Sequence, residues 1–389
     1  MNHADLLPAD CDRATLIGRV FDPEVDGPCL VHLRGDSLVD VTAAGPTISQ
    51  LLEGPAPAAA LMSVPATRHF PLAEVLDNSM ARNHDRPYLL APCDLQAVKA
   101  CGVTFARSMV ERVIEERARG DFRAAAAIRE QISNAVGGQL RDLKPGSPEA
   151  AHAKTVLMEA GYWSQYLEVG IGPDAEVFTK APVMSSVGLG AEIGILRKSV
   201  WNNPEPEAVV VVNSRGEILG ATLGNDVNLR DIEGRSALLL GKAKDNNASS
   251  TIGPFIRLFD AGFSLDDVRS LELSLKVSGA EDGYVLEGAS SMREISRDPT
   301  ELVQHTIGRH HQYPDGFVLF LGTLFAPIQD RDHPGQGFTH KTGDRVEIAA
   351  APLGRLVNTV AYAEEAAPWV FGIGALMRNL AARGLLGTG

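Results

Sequence analysis

Cysteine is scarce in this chain: Cys11, Cys29, Cys93 and Cys101 are the four among 389 residues, and no two stand in a C-x-x-C pair. That spacing excludes zinc-finger and dithiol-redox motifs and makes a disulfide framework unexpected. Positive charge is also short, with 36 Lys and Arg against 49 Asp and Glu and a net charge of −13. Such a chain lacks the basic footprint that nucleic-acid backbones select. An anionic substrate must then be held by local Arg or Lys side chains or by a metal. No stretch approaches the roughly 18 consecutive apolar residues of a membrane span. The opening MNHADLLPADCDRA has no basic segment leading into an apolar one. The expectation is therefore a cytoplasmic protein without a signal peptide or a membrane partner.

What the chain has is enough material for a large core, 44% hydrophobic residues over a length that suits two or three domains. Residues 1–90 carry short apolar runs broken by Gly and Pro, and CLVHL and SLVDV alternate with period two. We expect a small β-rich N-terminal domain there and a catalytic domain over 91–389. VTFARSMVERVIEERARG sets Phe105, Met109 and Val113 four apart, beside Val110 and Ile114, which predicts an amphipathic helix. FRAAAAIREQISNAV reads as a second helix. From about residue 178 strands dominate (VFTKAPVM, EAVVVVN, EILGATL, SLELSLKVSG, GFVLFLGTLFA, RVEIAAAPLGRLVNTV), and PWVFGIGALMRNLAARGLL reads as a closing helix. The fold class is α+β, mainly β, with a rolled or sandwiched mixed sheet. Strands and helices do not alternate as in Rossmann or TIM folds, and no internal repeat is present. The glycine cluster GLGAEIG at 188–194 departs from dinucleotide-binding spacing and is not expected to hold such a cofactor.

The most informative segment is NNPEPEAVVVVNSRGEILGATLGNDVNLRD. If its two strand-like runs form a hairpin with Asn213 paired to Gly216, then Glu205, Glu207 and Asp226 project from one face. Three converging carboxylates repel unless a cation neutralises them. Oxygen-only ligands suit Mg²⁺, or Mn²⁺, rather than zinc. The bland alternative is a solvated strand opening, with Pro204 and Pro206 where prolines belong.

The wording of the region goes further. PEPEAVVVV, GNDVNLRDIEG and GKAKDNNASSTIGPF, followed by GFVLFLGTLFAP and KTGDRVEIAAAPLGRLVNTV, resemble the ordered motifs of the fumarylacetoacetate hydrolase superfamily across roughly 100–360. The resemblance implies that family's rolled mixed β-sheet. It implies that Glu205, Glu207 and Asp226 are metal ligands, that Arg230 and Lys242 hold the substrate and polarise its oxygens, and that Gly322 and Thr323 meet its carboxylate. Seen alone, each basic residue would be an ordinary surface ion pair. Asp231 reads as structural, and Glu233 could be either. His310 and His311 precede a YPDG turn and read as an exposed loop. A homodimer is also what the resemblance implies.

Many small members carry G-x-N-Y-x-x-H-x-x-E, whose His–Glu pair activates water. Here the stretch is GVTFARSMVE, with Phe105 for the tyrosine, Ser108 for the histidine and Glu111 retained. Serine cannot replace histidine as a base towards water. Glu111 remains, sharing a helical face with Ser108. A carboxylate base beside a metal suits removal of a proton α to a ketone, and a β-hydroxyl can then be expelled. The pattern resembles the 2-keto-3-deoxy sugar-acid dehydratase branch. The implied reaction is 2-keto-3-deoxypentonate to 2,5-dioxopentanoate, with Mg²⁺ on the C1 carboxylate and C2 ketone, Glu111 taking a C3 proton, and Lys242 or a metal-bound water assisting the C4 hydroxyl. The competing enzyme is a hydrolase or decarboxylase of an acylpyruvate or diketo acid, using His84 or His340. A non-enzymatic binding module is the third reading, and 329–343 (QDRDHPGQGFTHKTG) could form part of a lid.

Overall fold

The computed structural model describes residues 2–386 except 120, 122, 125–127, 129–142, 160, 162, 326, 328 and 335–336, and the side chains of 106–108 and 110. The second helix read over FRAAAAIREQISNAV falls almost wholly outside the described residues. No helix among the described residues is long and apolar enough to cross a membrane.

The strands are β1 (Leu16–Asp22), β2 (Gly27–Arg34), β3 (Ser37–Asp40), β4 (His69–Pro71), β5 (Tyr88–Leu90), β6 (Ala97–Gly102), β7 (Glu176–Ala181) and β8 (Glu192–Ile195), then β9 (Pro206–Val212), β10 (Ile218–Asp226), β11 (Ser250–Leu258), β12 (Glu272–Ser278), β13 (Val285–Ser291), β14 (Phe317–Phe320), β15 (Arg345–Ala350) and β16 (Gly354–Tyr362). They form two mixed sheets. The larger runs β4-β3-β2-β1-β11-β10-β9-β14-β6-β7, with β5 beside β1, and the smaller runs β13-β12-β15-β16-β8. β14 pairs with β6, and β16 with β8, in parallel. Residues 1–90, read from sequence as a separate unit, supply five strands to the larger sheet, and β1 pairs directly with β11.

The run Ala208–Val212 explains the arrangement. Ala208, Val210 and Val212 join a core shared with Leu273, Leu275 and Val277 of β12 and Ile348 of β15. Val209 and Val211 turn the other way, into a core with Val98, Ile252 and the helix Ile48–Glu53. A strand covered on both faces reads as a continuous apolar run rather than an alternation. By contrast β12 is exposed on alternate residues, as its ELSLKVS sequence requires.

The helix Ala106–Arg117 forms where predicted, and Met109, Val113 and Ile114 bury against Tyr166, Leu167 and Trp201. The closing helix also forms, over Ile373–Ala382. The glycines of GLGAEIG serve packing. A methyl group on Gly188 or Gly190 would run into the backbone of Leu90 or Ser79.

Candidate active site

Two strands and a bulge build the acidic centre. β9 and β10 pair antiparallel, with Gly224 opposite Glu207 and the Asp226 N–H donating to the Glu205 carbonyl at 3.0 Å. The hairpin itself is not the one supposed from sequence: Asn213 pairs with Glu217, and Ile218 lies opposite Val212. Continued unbroken, that register would turn Asp226 away from Glu205 and Glu207, since a one-residue shift flips every side chain. A bulge at Leu219 moves the pairing by one, to Gly220 opposite Val211, and returns Asp226 to the shared face.

Glu205, Glu207 and Asp226 are all buried, and each offers an oxygen within 4.8 Å of the others. The Gly322 N–H donates to Glu207 at 2.6 Å, and the Asn225 side chain accepts the Glu205 N–H at 2.9 Å. Lys244 reaches Glu205 at 2.5 Å and Asp226 at 3.0 Å, while Lys180 meets the other Asp226 oxygen at 2.8 Å. Burial alone would raise Asp226, but these two amines hold its carboxyl below the usual range. Glu207 has no such cation in contact. Burial, with the charges of Asp226 and Glu205, pushes it well above the usual range. Around the trio, Glu176 and Glu233 also line the cleft, against Arg112. Five carboxylates therefore face the three cations Arg112, Lys180 and Lys244. The mutual repulsion of these carboxylates and the all-oxygen donor set fit a hard divalent ion.

Lys242, expected from its G-K position, is exposed; the buried amine is Lys244, one turn-fraction further along the helix Leu240–Lys244. Two residues correspond to about 200° of helical rotation, so only one of them can face the trio. Arg230 is buried as a substrate residue would be, and while Nε and Nη1 are hydrogen-bonded, Nη2 makes ion-pair contacts only. Its Nε meets Glu115 at 2.6 Å, Nη1 meets the Pro327 carbonyl at 3.3 Å, and Nη2 stands 3.5 Å from Glu111, with the guanidinium centre 4.2 Å from the Trp201 ring centroid. Gly322, likewise expected to meet substrate, gives its N–H to Glu207 instead. Its φ of +90° and the closeness of the Thr104 hydroxyl admit only glycine comfortably. Thr323 lines both the cleft of the trio and an adjoining one, which is walled by Glu111, Arg112, Glu115, Asn203, Glu205, Arg230 and Phe325. Glu111 and Glu205 thus border one space. Ser108 falls in the first turn of the helix Ala106–Arg117, and its side chain lies outside the described residues.

The path into that helix is strained. Val103, a β-branched residue lining the cleft, has φ of +57°. Thr104 anchors the turn through its hydroxyl to the Leu321 carbonyl at 2.7 Å and its own carbonyl to the Ser296 N–H at 2.8 Å.

Asp231 is structural as expected, accepting from the Ser199 hydroxyl at 2.7 Å. His310 and His311 are exposed. His84 stacks on Tyr88 beside a different cavity of about 440 Å³, and His340 pairs with Asp344 at 3.2 Å. Neither lines the acidic clefts. Within 329–343, Arg331 meets Asp344 at 2.6 Å and Asp282 at 2.9 Å. Lys180, Lys244, Arg112, Glu115 and Glu176 were not singled out from sequence. Only Lys180, a lone cation inside an apolar strand, carried a usable signal. Glu176 sits opposite Gly102 in the β6–β7 ladder, where a side chain on residue 102 would overlap its carboxylate. Burial and the charge of Glu233 push Glu176 up to about 7.

Comparisons with known proteins bear on the family and the fold. Two curated relatives are 34% identical: "Probable 2-keto-3-deoxyxylonate dehydratase" of Haloferax volcanii over 203 residues, 52% of this chain, and "2-dehydro-3-deoxy-D-arabinonate dehydratase" of Saccharolobus solfataricus over 186 residues, 48% of this chain. The matched stretches span 65% and 58% of those relatives' own lengths. Among solved structures, a 2-keto-3-deoxy-D-arabinonate dehydratase in its apo form matches with a TM-score of 0.62 at 21% identity, over 89% of this chain and 99% of that one. The same enzyme complexed with magnesium and 2,5-dioxopentanoate gives 0.61 at 21%, over the same shares. These structures show a common fold. The family model for the fumarylacetoacetate (FAA) hydrolase C-terminal region matches residues 161–361, just over half of the chain, and this protein therefore belongs to the fumarylacetoacetate hydrolase family.

Proposed function

We propose that this protein is a magnesium-dependent dehydratase that converts a 2-keto-3-deoxy sugar acid, of which 2-keto-3-deoxypentonate is the first choice, to the 2,5-dioxo acid. The observation that carries the reading is the composition of the two joined clefts. They present carboxylate oxygens fit for a hard cation, together with Glu111, and no histidine among the described residues that line them. A histidine-free wall lacks the base that C–C hydrolysis by water would use, whereas a carboxylate suits abstraction of an acidic C3 proton. The dehydratase names of both curated relatives, and the product bound in one structural neighbour, support the same choice.

Glu205, Glu207 and Asp226 would hold the ion. When bound, Mg²⁺ supplies Lewis acidity at a ketone and stabilises the enolate that deprotonation produces. Glu111, beside Arg230, takes the C3 proton. Glu176, which lines the same cleft, donates a proton to the departing C4 hydroxyl, which leaves as water. Loss of a C5 proton and return of one to C3 give the C4=C5 enol, which loses its hydroxyl proton as C4 takes one, leaving the 2,5-dioxo acid. Lys244 fixes Glu205 and Asp226 in place. The reading includes a cytoplasmic homodimer working in sugar-acid catabolism.

The test is mass spectrometry of products after incubation with Mg²⁺ and each enantiomer of 2-keto-3-deoxypentonate, with an EDTA control. A metal-dependent loss of 18 mass units is the expected result. Cleavage of an acylpyruvate into two acids, without dehydration of the pentonate, would replace this reading with a hydrolase.

A further inference from the structure

One guanidinium connects the two clefts. Arg112 gives one nitrogen to Glu205 and the other to both Glu115, at 2.7 Å, and Glu233, at 2.9 Å. Glu115 uses its second oxygen to hold Arg230 at 2.6 Å, and Arg230 stands 3.5 Å from Glu111. Read in order, Glu205, Arg112, Glu115, Arg230 and Glu111 alternate in charge without a gap, and their side chains are 5, 12, 3, 2 and 11% exposed. Solvent screens such a chain weakly, so a displacement at one end is felt at the other. Three of its members, Glu111, Arg112 and Glu115, belong to one helix and carry residues of both its i,i+3 and i,i+4 rows. The opposite face of that helix packs Met109, Val113 and Ile114 into a separate small cluster rather than into either main core. Its placement over the clefts is set by that cluster on one face and by these ion pairs on the other.

We propose that Glu115 is a positioning residue: it lines the cleft that Glu111 borders, but one of its oxygens is held by Arg112 and the other by Arg230, and it acts by tying Arg112 to Arg230 so that occupation of the cation site places Glu111. The role of Glu111 rests on the dehydratase reading above, but the mechanical link from the cation site to the helix does not. Without Glu115, Arg112 still holds Glu205, and Arg230 still reaches Glu111. What is lost is the bridge between the two cations, which then repel each other across the helix.

The experiment compares wild type with Glu115→Gln, which keeps the size of the side chain and removes its charge, and with Glu115→Asp, which keeps the charge. Mg²⁺ affinity is measured by calorimetry without substrate, and hydrogen exchange of residues 109–117 is followed with and without Mg²⁺. Wild type is expected to show slower exchange over 109–117 when Mg²⁺ is present. Glu115→Gln should bind Mg²⁺ within about threefold of wild type yet lose most of that protection, and Glu115→Asp should recover part of it. In turnover, Glu115→Gln should lower kcat about 10- to 100-fold with KM little changed, the scale of a base misplaced by about 1 Å. Equal Mg²⁺ protection in wild type and Glu115→Gln, or no protection in wild type, overturns the link. If Glu115→Gln fails to fold, Arg112→Lys, which keeps the charge but not the fork, carries the same comparison. Should wild type not dehydrate any pentonate, the functional reading fails while the exchange data still decide the link.

Discussion

The two walls of the site are held by different forces. The sheet wall, with Glu205, Glu207 and Asp226, is fixed by backbone ladders on both sides of β9 and by valines buried on both faces. The helical wall, with Glu111, Arg112 and Glu115, is held on its cleft face by side-chain ion pairs and on its other face by a local apolar cluster, over a strained entry at Val103. Ladder geometry is insensitive to charge and salt, while ion-pair geometry depends on every partner. The sheet wall is suited to holding a cation site in one shape. The helical wall is suited to responding to what that site contains.

The strongest way to break the comparison is to damage the sheet wall by register. Deletion of Thr222, beyond the bulge, moves Asp226 back by one position in the β9 register and turns it off the face of Glu205 and Glu207. Calorimetry on the deletion variant should detect no Mg²⁺ binding, and circular dichroism should still report a folded β-rich protein. Retained binding would show that the hairpin recovers its register at the turn. The next effect is chemical. Glu111→Gln should lower kcat by about 10²- to 10⁴-fold, the usual contribution of a general base. Its Mg²⁺ affinity should stay near that of wild type, because Glu111 lies on the other wall. A variant that loses metal and activity together would mean that the walls are not separable.

The same division governs what was legible in the sequence. The metal trio could be read because strand alternation is a strict rule, although the supposed Asn213–Gly216 pairing was not the observed one. The actual turn would have put Asp226 on the wrong face, and the bulge at Leu219 cancels that offset. β11 was recognised as a motif but not as a strand, since Pro254 sits in its middle. It is tolerated there because the β10–β11 register skips between Ala221 and Leu223, next to the proline. Arg112 and Glu115 look in the sequence like an ordinary exposed i,i+3 pair. That they are buried follows from how the helix is set against the sheet, which no local pattern encodes. The division at residue 90 was suggested by composition, but strand pairing depends on partners hundreds of residues away, such as β1 with β11.

A smaller effect sharpens the electrostatics. In EDTA, Glu176 with a pKa near 7 holds its proton in the folded state at pH values where the unfolded chain, with an ordinary value of 4.5, has already lost it. The unfolded state then binds fewer protons, so stability falls as pH rises from about 4.5 to about 7. Thermal melts of metal-free wild type should show the fall, and Glu176→Gln should be flatter over the same window. Parallel curves for the two proteins would assign the pH dependence elsewhere.

The smallest expected effect separates two lysines that the sequence could not. Lys242 is exposed at the start of its short helix and lines neither acidic cleft, so Lys242→Ala should leave kcat and Mg²⁺ affinity within about twofold of wild type, as for most exposed positions. Lys244 is buried between Glu205 and Asp226, and removing it leaves those carboxylates with less positive charge in the absence of metal. Lys244→Ala should therefore make the metal-free protein melt at a lower temperature than wild type, with saturating Mg²⁺ restoring much of the difference, because a bound cation replaces the missing charge. Melting curves of both variants with EDTA and with Mg²⁺ make the comparison. If Lys242→Ala, and not Lys244→Ala, melted below wild type in EDTA and recovered that difference with Mg²⁺, the assignment of the buried amine to Lys244 would be wrong. The sheet wall would then be organised by a residue on the solvent side of that helix.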